Sequence, residues 1–175
     1  MIRLFVALDL PDAARDALAA LEPDPDVWRR LPPEQLHVTL AFLGARPEQD
    51  VDTVRPILEA EAGGPAPALA LAQVLLLPPR RARVLTVALA GELAPLQARI
   101  AQRLEAAGVY TREQRPFRAH VTVARLRPRT PPQRETDLMI APLAFHGRAV
   151  TLYVSRLHPS GARYEPLVCA SLAAP

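Results

Sequence analysis

Apolar and polar positions along this chain change rhythm repeatedly, and each change predicts an element boundary. Ile2-Arg3-Leu4-Phe5-Val6-Ala7-Leu8 is a short apolar run stopped by Asp9-Leu10-Pro11, which predicts a buried strand. Pro11-Asp12 then opens a helical run through Leu18 and Leu21, ended by Pro23-Asp24-Pro25. Trp28 and Arg29-Arg30-Leu31-Pro32-Pro33 read as a loop into a second strand, which reaches Phe42-Leu43 and is cut at Gly44. Val51, Val54 and Leu58 at helical spacing predict a helix from about Pro47 to Glu61.

Beyond Gly63-Gly64-Pro65 the pattern predicts a hairpin, with strands Ala68 to Leu77 and Val84 to Leu89 and with Arg80, Arg81 and Arg83 at its tip. Glu92 to Ala107 carries Leu93, Leu96, Ile100 and Leu104 on one helical stripe and ends at Gly108. A basic stretch, Tyr110 to Ala119, leads into a strand running to about Leu126. Arg127 to Asp137, rich in Pro and Arg, reads as a flexible surface loop. Ala149 to Leu157 and Tyr164 to Leu172 complete the strands, joined by the turn His158-Pro159-Ser160-Gly161. His146 and His158 read as ordinary loop histidines. The two halves have related element content, so an α+β domain over residues 1–175, built from two similar lobes, is expected.

The strand at Leu36-His37-Val38-Thr39-Leu40 has a counterpart at Ala119-His120-Val121-Thr122-Val123, the two histidines lying 83 residues apart (37 to 120). Successive side chains of a strand point to opposite faces, so His and Thr share one face while apolar neighbours back the other. With 4 His in the chain, about 0.05 copies of His-apolar-Thr-apolar are expected by chance. One copy would be an ordinary half-exposed strand histidine; two ask for a chemical explanation.

Composition narrows the choice. At 175 residues and 19.1 kDa the chain is long enough to bury a substantial core. No apolar run approaches the roughly 20 residues of a membrane span, and no signal-peptide pattern opens the chain, so a soluble, cytoplasmic protein with no membrane partner is expected. Cys169 stands alone, which excludes an internal disulfide and a multi-Cys metal site; it reads as a buried strand residue. A monomer is the default expectation.

All 21 basic residues are Arg, so Arg abundance by itself says little about partners. Its distribution says more. Arg112, Arg115, Arg118, Arg125, Arg127, Arg129 and Arg134 surround the second motif with Glu113 as the one acid among them, which favours phosphate.

Two histidines can divide one reaction, the neutral imidazole taking a proton and the charged one giving it. A Thr hydroxyl beside each, together with Arg, suits phosphate oxygens. The combination points to attack on a phosphodiester. Metal ligation is disfavoured, since no Asp, Glu or Cys lies within either motif. A serine nucleophile is disfavoured too, for no Gly-x-Ser-x-Gly elbow occurs.

These motifs, with Arg3-Leu4-Phe5-Val6-Ala7, Phe42-Leu43-Gly44, Arg115-Pro116-Phe117-Arg118, Arg125, Leu152-Tyr153-Val154-Ser155 and Gly161-Ala162-Arg163-Tyr164, resemble the two-histidine (2H) phosphoesterases. Within that superfamily the resemblance is to the RNA 2′,3′-cyclic phosphodiesterases, also called 2′-5′ RNA ligases. One departure is Ala119, where the family usually has Pro. The resemblance implies two pseudo-symmetric lobes of antiparallel sheet with helices packed outside and the active-site cleft between them. It also implies hydrolysis of an RNA terminal 2′,3′-cyclic phosphate to a 2′-phosphate with no metal or other cofactor. His37 and His120 would be catalytic, His120 as base and His37 as acid, with the reverse order left open by the symmetry of the motifs. Thr39 and Thr122 would hold the non-bridging oxygens, Arg125 would contact phosphate or nucleotide, and Phe42 would stack on the terminal base. By strict alternation Arg125 points away from Thr122, so it needs a bend in the strand to reach the cleft. The partners implied are RNA ends or small nucleotides bearing a 2′,3′-cyclic phosphate. The alternatives are reversible 2′-5′ RNA ligation and a binding module for nucleotides or RNA ends without turnover.

Overall fold

The computed structural model describes residues 1–158 and 161–173. Its strands are β1 (Ile2–Asp9), β2 (Trp28–Arg30), β3 (His37–Arg46), β4 (Ala68–Leu77), β5 (Val84–Gly91), β6 (His120–Leu126), β7 (Ala144–His146), β8 (Ala149–His158) and β9 (Gly161–Ser171). Three helices accompany them: α1 (Asp12–Ala19), α2 (Asp50–Glu59) and α3 (Ala94–Ala106). The named strands pair antiparallel in the order β7-β4-β5-β6-β3-β1-β8-β9, with β2 added beside β6.

The two lobes show in how this sheet is joined. β7, β4, β5, β6 and β2 form one half; β3, β1, β8 and β9 form the other. A single rung, Val38 opposite Val121, connects them. The order of strands thus places both His-x-Thr motifs at the seam.

β1 is central in its lobe, which explains why Leu4 to Leu8 are buried without interruption. Leu4, Val6 and Leu8 share a face with Val38, Leu40, Leu152 and Val154. That face is covered by the apolar stripes of α2 and α3, which lie on β8, β9 and β3 and on each other. Arg3, Phe5, Ala7 and Asp9 occupy the opposite face, toward the cleft. The helix pair is tied by Glu61, just beyond α2, which is 6% exposed and accepts from Arg99 and Arg103 of α3 at 2.9 and 3.0 Å. Removing one arginine is expected to cost less than removing the carboxylate, which would leave two cations facing each other.

Several boundaries differ from the sequence expectation. Trp28–Arg30 is a strand rather than a loop: its register places Trp28 opposite Leu126 and buries the indole. β3 continues through Gly44 to Arg46, because Gly44 adopts φ +77° where Leu43 is skipped in the pairing with β1. Residues 47–49 form i→i−3 turns, so α2 begins at Asp50. His146 closes the short strand β7, and His158 ends β8; both are exposed. Cys169 is exposed, not buried, since Val168 and Ala170 take the inward positions of the edge strand β9. No helix among the described residues is long and apolar enough to cross a membrane.

Candidate active site

Both motif strands leave their alternation at the same place. In β3, Leu40 is skipped in the pairing with β1, so His37, Thr39 and Phe42 share one face. In β6, Val123 is skipped in the pairing with β5, so His120, Thr122 and Arg125 do likewise. Each bulge leaves a carbonyl to be satisfied from outside the ladder. The Leu40 carbonyl accepts from Gln97 Nε2 at 3.1 Å, and the Val123 carbonyl from the Leu31 N–H at 2.8 Å. The bend that Arg125 needs is therefore present, and its duplicate turns Phe42 inward as well.

All six predicted residues line one cleft of about 370 Å³, at the seam between the lobes. Phe42 is 52% exposed, so it stands at the cleft wall and not in the core. The histidines are half-buried. The cleft also takes in Arg3, Phe5, Arg29, Ser155 and Tyr164, which the sequence reading left unassigned. Arg3 carried a usable signal, being the one charged position in the otherwise apolar run Ile2 to Leu8. Ser155 and Tyr164 carried none, because their place depends on how β8 and β9 register with β1.

The two imidazoles are held alike. Nδ1 of His37 donates to the Gln35 carbonyl and Nδ1 of His120 to the Arg118 carbonyl, both at 2.7 Å. A carbonyl only accepts, so each Nδ1 carries a proton and each Nε2 is left as the reactive nitrogen. Nε2 of His37 accepts from the Thr39 hydroxyl at 3.2 Å.

Their surroundings differ. His37 lies 4.9 Å from the Phe5 ring and edge-on to Tyr164 at 5.4 Å, with Tyr153 at 6.3 Å. Burial in this aromatic nest lowers the His37 pKa below the ordinary histidine value; the hydrogen bond to Gln35 and the charge of Asp9 oppose that shift, and Arg125 and His120 add to it. Asp9 in turn accepts from Thr151 at 2.7 Å and from Tyr153 at 2.8 Å, and burial with this carboxylate pushes the Tyr153 hydroxyl far above its usual range. Tyr153 therefore stays neutral and serves as a fixed wall behind Phe5. Arg3, Arg29 and Arg125 make the lining cationic, and no carboxylate is among the described residues that line it.

A cleft with paired histidines, paired threonines and arginines is suited to proton transfer at a phosphate. The sequence profile of the 2′-5′ RNA ligase superfamily matches residues 8–159. The chain belongs to that superfamily. An RNA 2′,3′-cyclic phosphodiesterase of Thermus thermophilus is 43% identical over 53 residues, a stretch that spans 29% of this chain and 27% of that relative. Similarity to solved members extends over the whole fold. TT0787 of Thermus thermophilus matches with a TM-score of 0.78 at 27% identity, covering 97% of each chain. Escherichia coli LigT complexed with 3′-AMP matches with a TM-score of 0.79 at 26% identity, covering 99% of each chain. As a 2H phosphoesterase, the chain has the α+β architecture expected of it, a curled antiparallel sheet in two halves with three helices. Its departure from the superfamily pattern at Ala119 leaves the start of β6 anchored, since the Ala119 carbonyl accepts the Leu89 N–H at 2.9 Å.

Proposed function

We propose that the protein hydrolyses a terminal 2′,3′-cyclic phosphate on RNA, or on a small nucleotide, to a 2′-phosphate without a metal ion. The observation that carries this reading is the matched pair of imidazoles, each fixed through Nδ1 and each presenting Nε2 to one cleft. In the proposed reaction water attacks phosphorus in line with the 3′-oxygen. His120 Nε2 takes the water proton, the new P–O bond forms as the P–O3′ bond breaks, and His37 Nε2 protonates the departing 3′-oxygen. Thr39 and Thr122 hold the non-bridging oxygens, Arg125 offsets their charge, and Phe42 offers its ring to the terminal base.

One feature supports this order of proton transfer, and one sets a condition on it. Nε2 of His120 has no side-chain partner among the described residues, which leaves it open to a water. His37, whose pKa is lowered by burial, is charged for the acid role only when the bound substrate anion raises that pKa. Substituting sulfur for the 3′-oxygen tests the assignment, because a good leaving group no longer needs an acid. The activity lost in His37→Ala should then be recovered and that lost in His120→Ala should not; the opposite recovery reverses the roles.

The reaction itself is tested by incubating the protein, in excess EDTA, with a short RNA ending in a 2′,3′-cyclic phosphate and resolving the products. A 2′-phosphate, absent with His37→Ala, is expected. Joined RNA would establish ligation instead, and tight binding of intact substrate would establish a binding module. Recovery only on adding a divalent ion would overturn the metal-free reaction.

A further inference from the structure

Paired residues of neighbouring strands point to the same face, so the cleft side of the β3-β1-β8-β9 lobe is laid out in rows. The first row has Asp9 opposite His37 and bonded to Thr151. The second joins Phe42, Phe5 and Tyr153 across β3, β1 and β8. The third joins Arg3, Ser155 and Tyr164 across β1, β8 and β9.

The third row brings three polar side chains without acceptors into the cleft. Arg3, Ser155 and Tyr164 all line the cleft. None makes a side-chain hydrogen bond or ion pair among the described residues, Tyr164 having ring contacts alone. Several arginines elsewhere do have a carboxylate partner. Arg156, one residue after Ser155 and on the other face, meets Glu165 at 2.9 Å, and Arg15, Arg46, Arg99 and Arg103 each have a carboxylate within 3.0 Å. A guanidinium and two hydroxyls converging without an acceptor form a cradle for an anion.

We infer that the row of Arg3, Ser155 and Tyr164 is a second anion site, which takes the phosphate on the 5′ side of the terminal nucleotide. This rests on the proposed function for its choice of ligand. Read along β1 from the His37 level, the chain offers proton transfer, then an aromatic platform at Phe42, and then this row, two residues or about 6.6 Å further. A nucleotide whose cyclic phosphate lies at the histidines and whose base lies at Phe42 directs its 5′ side toward Arg3. The site gives an RNA end an advantage over a bare nucleoside cyclic phosphate.

Equilibrium titration tests this without requiring turnover. The probes are adenosine 2′-phosphate, the same compound with an added 5′-phosphate, and a diadenosine 2′-phosphate, whose internucleotide phosphate is a diester. Either added phosphate should tighten binding to the native protein about tenfold, and Arg3→Gln should remove that gain. Ser155→Ala, which keeps every charge, should lose roughly threefold of it. For the dinucleotide, Arg3→Gln should also lower the slope of log affinity against log salt by about 0.7. A gain for the diester identifies an RNA chain as the ligand, and a gain for the monoester alone identifies a 5′-phosphorylated nucleotide. Equal affinity for all three probes, or a gain retained in Arg3→Gln, would overturn the site. Intact binding contrasts with no turnover of any cyclic phosphate would overturn the enzymatic reading and leave the site standing.

Discussion

β3 and β6 carry the same local design in different settings. Each runs His-x-Thr, skips the residue that follows Thr in its ladder and brings the third residue after Thr into the cleft. Each ties Nδ1 to the carbonyl two residues back at 2.7 Å. Yet His37 is enclosed by Phe5, Tyr153 and Tyr164, whereas no aromatic ring contacts His120 among the described residues, and the second residue after the bulge is an aromatic in one strand and a cation in the other. Short-range sequence sets where the reactive nitrogen points; side chains from distant strands set its proton affinity. The duplication supplies geometry, and the divergence allows two like residues to take unlike parts.

The largest effect should come from breaking either strand's chemistry. His37→Ala and His120→Ala are each expected to lower kcat by about 10²- to 10⁴-fold while thermal unfolding stays cooperative. Loss of the cooperative transition would identify a structural histidine instead.

The third residue after each Thr should separate the strands more gently. Phe42→Ala is expected to weaken substrate by roughly 1–3 kcal/mol at any salt concentration, the range of one base stacked on an aromatic. Arg125→Ala should weaken it too, with a reduced salt dependence that the Phe42 variant does not show. Equal salt slopes in both variants would argue against this division.

The smallest effect should be in proton affinity. Phe5→Leu opens the nest, so the His37 pKa should rise toward the ordinary value of about 6.5, read from imidazole resonances. A matching effect is expected in stability. Between the lowered native value and about 6.5 the unfolded chain binds more protons than the folded one, so His37 costs stability as pH falls through that window. His37→Gln should therefore lose less stability than the native protein between pH 7 and pH 5 in urea titrations. An identical pH dependence would show that burial does not hold His37 neutral.

The order of elements, both motifs and the two-lobed arrangement were legible because each rests on local pattern: an apolar run, a helical stripe, a His-x-Thr repeat. β2 and β7 were not, since three-residue strands exist only through their partners, Trp28 against Leu126 and Phe145 against Leu69. The inward turn of Arg125 was recognisable as a requirement, but the bulge that meets it depends on Val123 losing its rung on β5. Cys169 was misplaced for a related reason. A small apolar residue is a good guess for the interior, but on an edge strand the alternation set by Val168 and Ala170 decides. Arg3 is the one charge in the run Ile2 to Leu8, but its cleft neighbours Ser155 and Tyr164 depend on the registers of β8 and β9, which no local pattern carries.

The single rung between the lobes fixes the innermost part of the cleft. His37 and His120 each lie one residue from it, about 3.3 Å along their strands, while Phe42 and Arg125 each lie four residues away, about 13 Å. The two imidazoles therefore sit where the backbone is bonded across the seam, while the Phe42 ring and the Arg125 guanidinium stand well out from it, at opposite ends of the cleft.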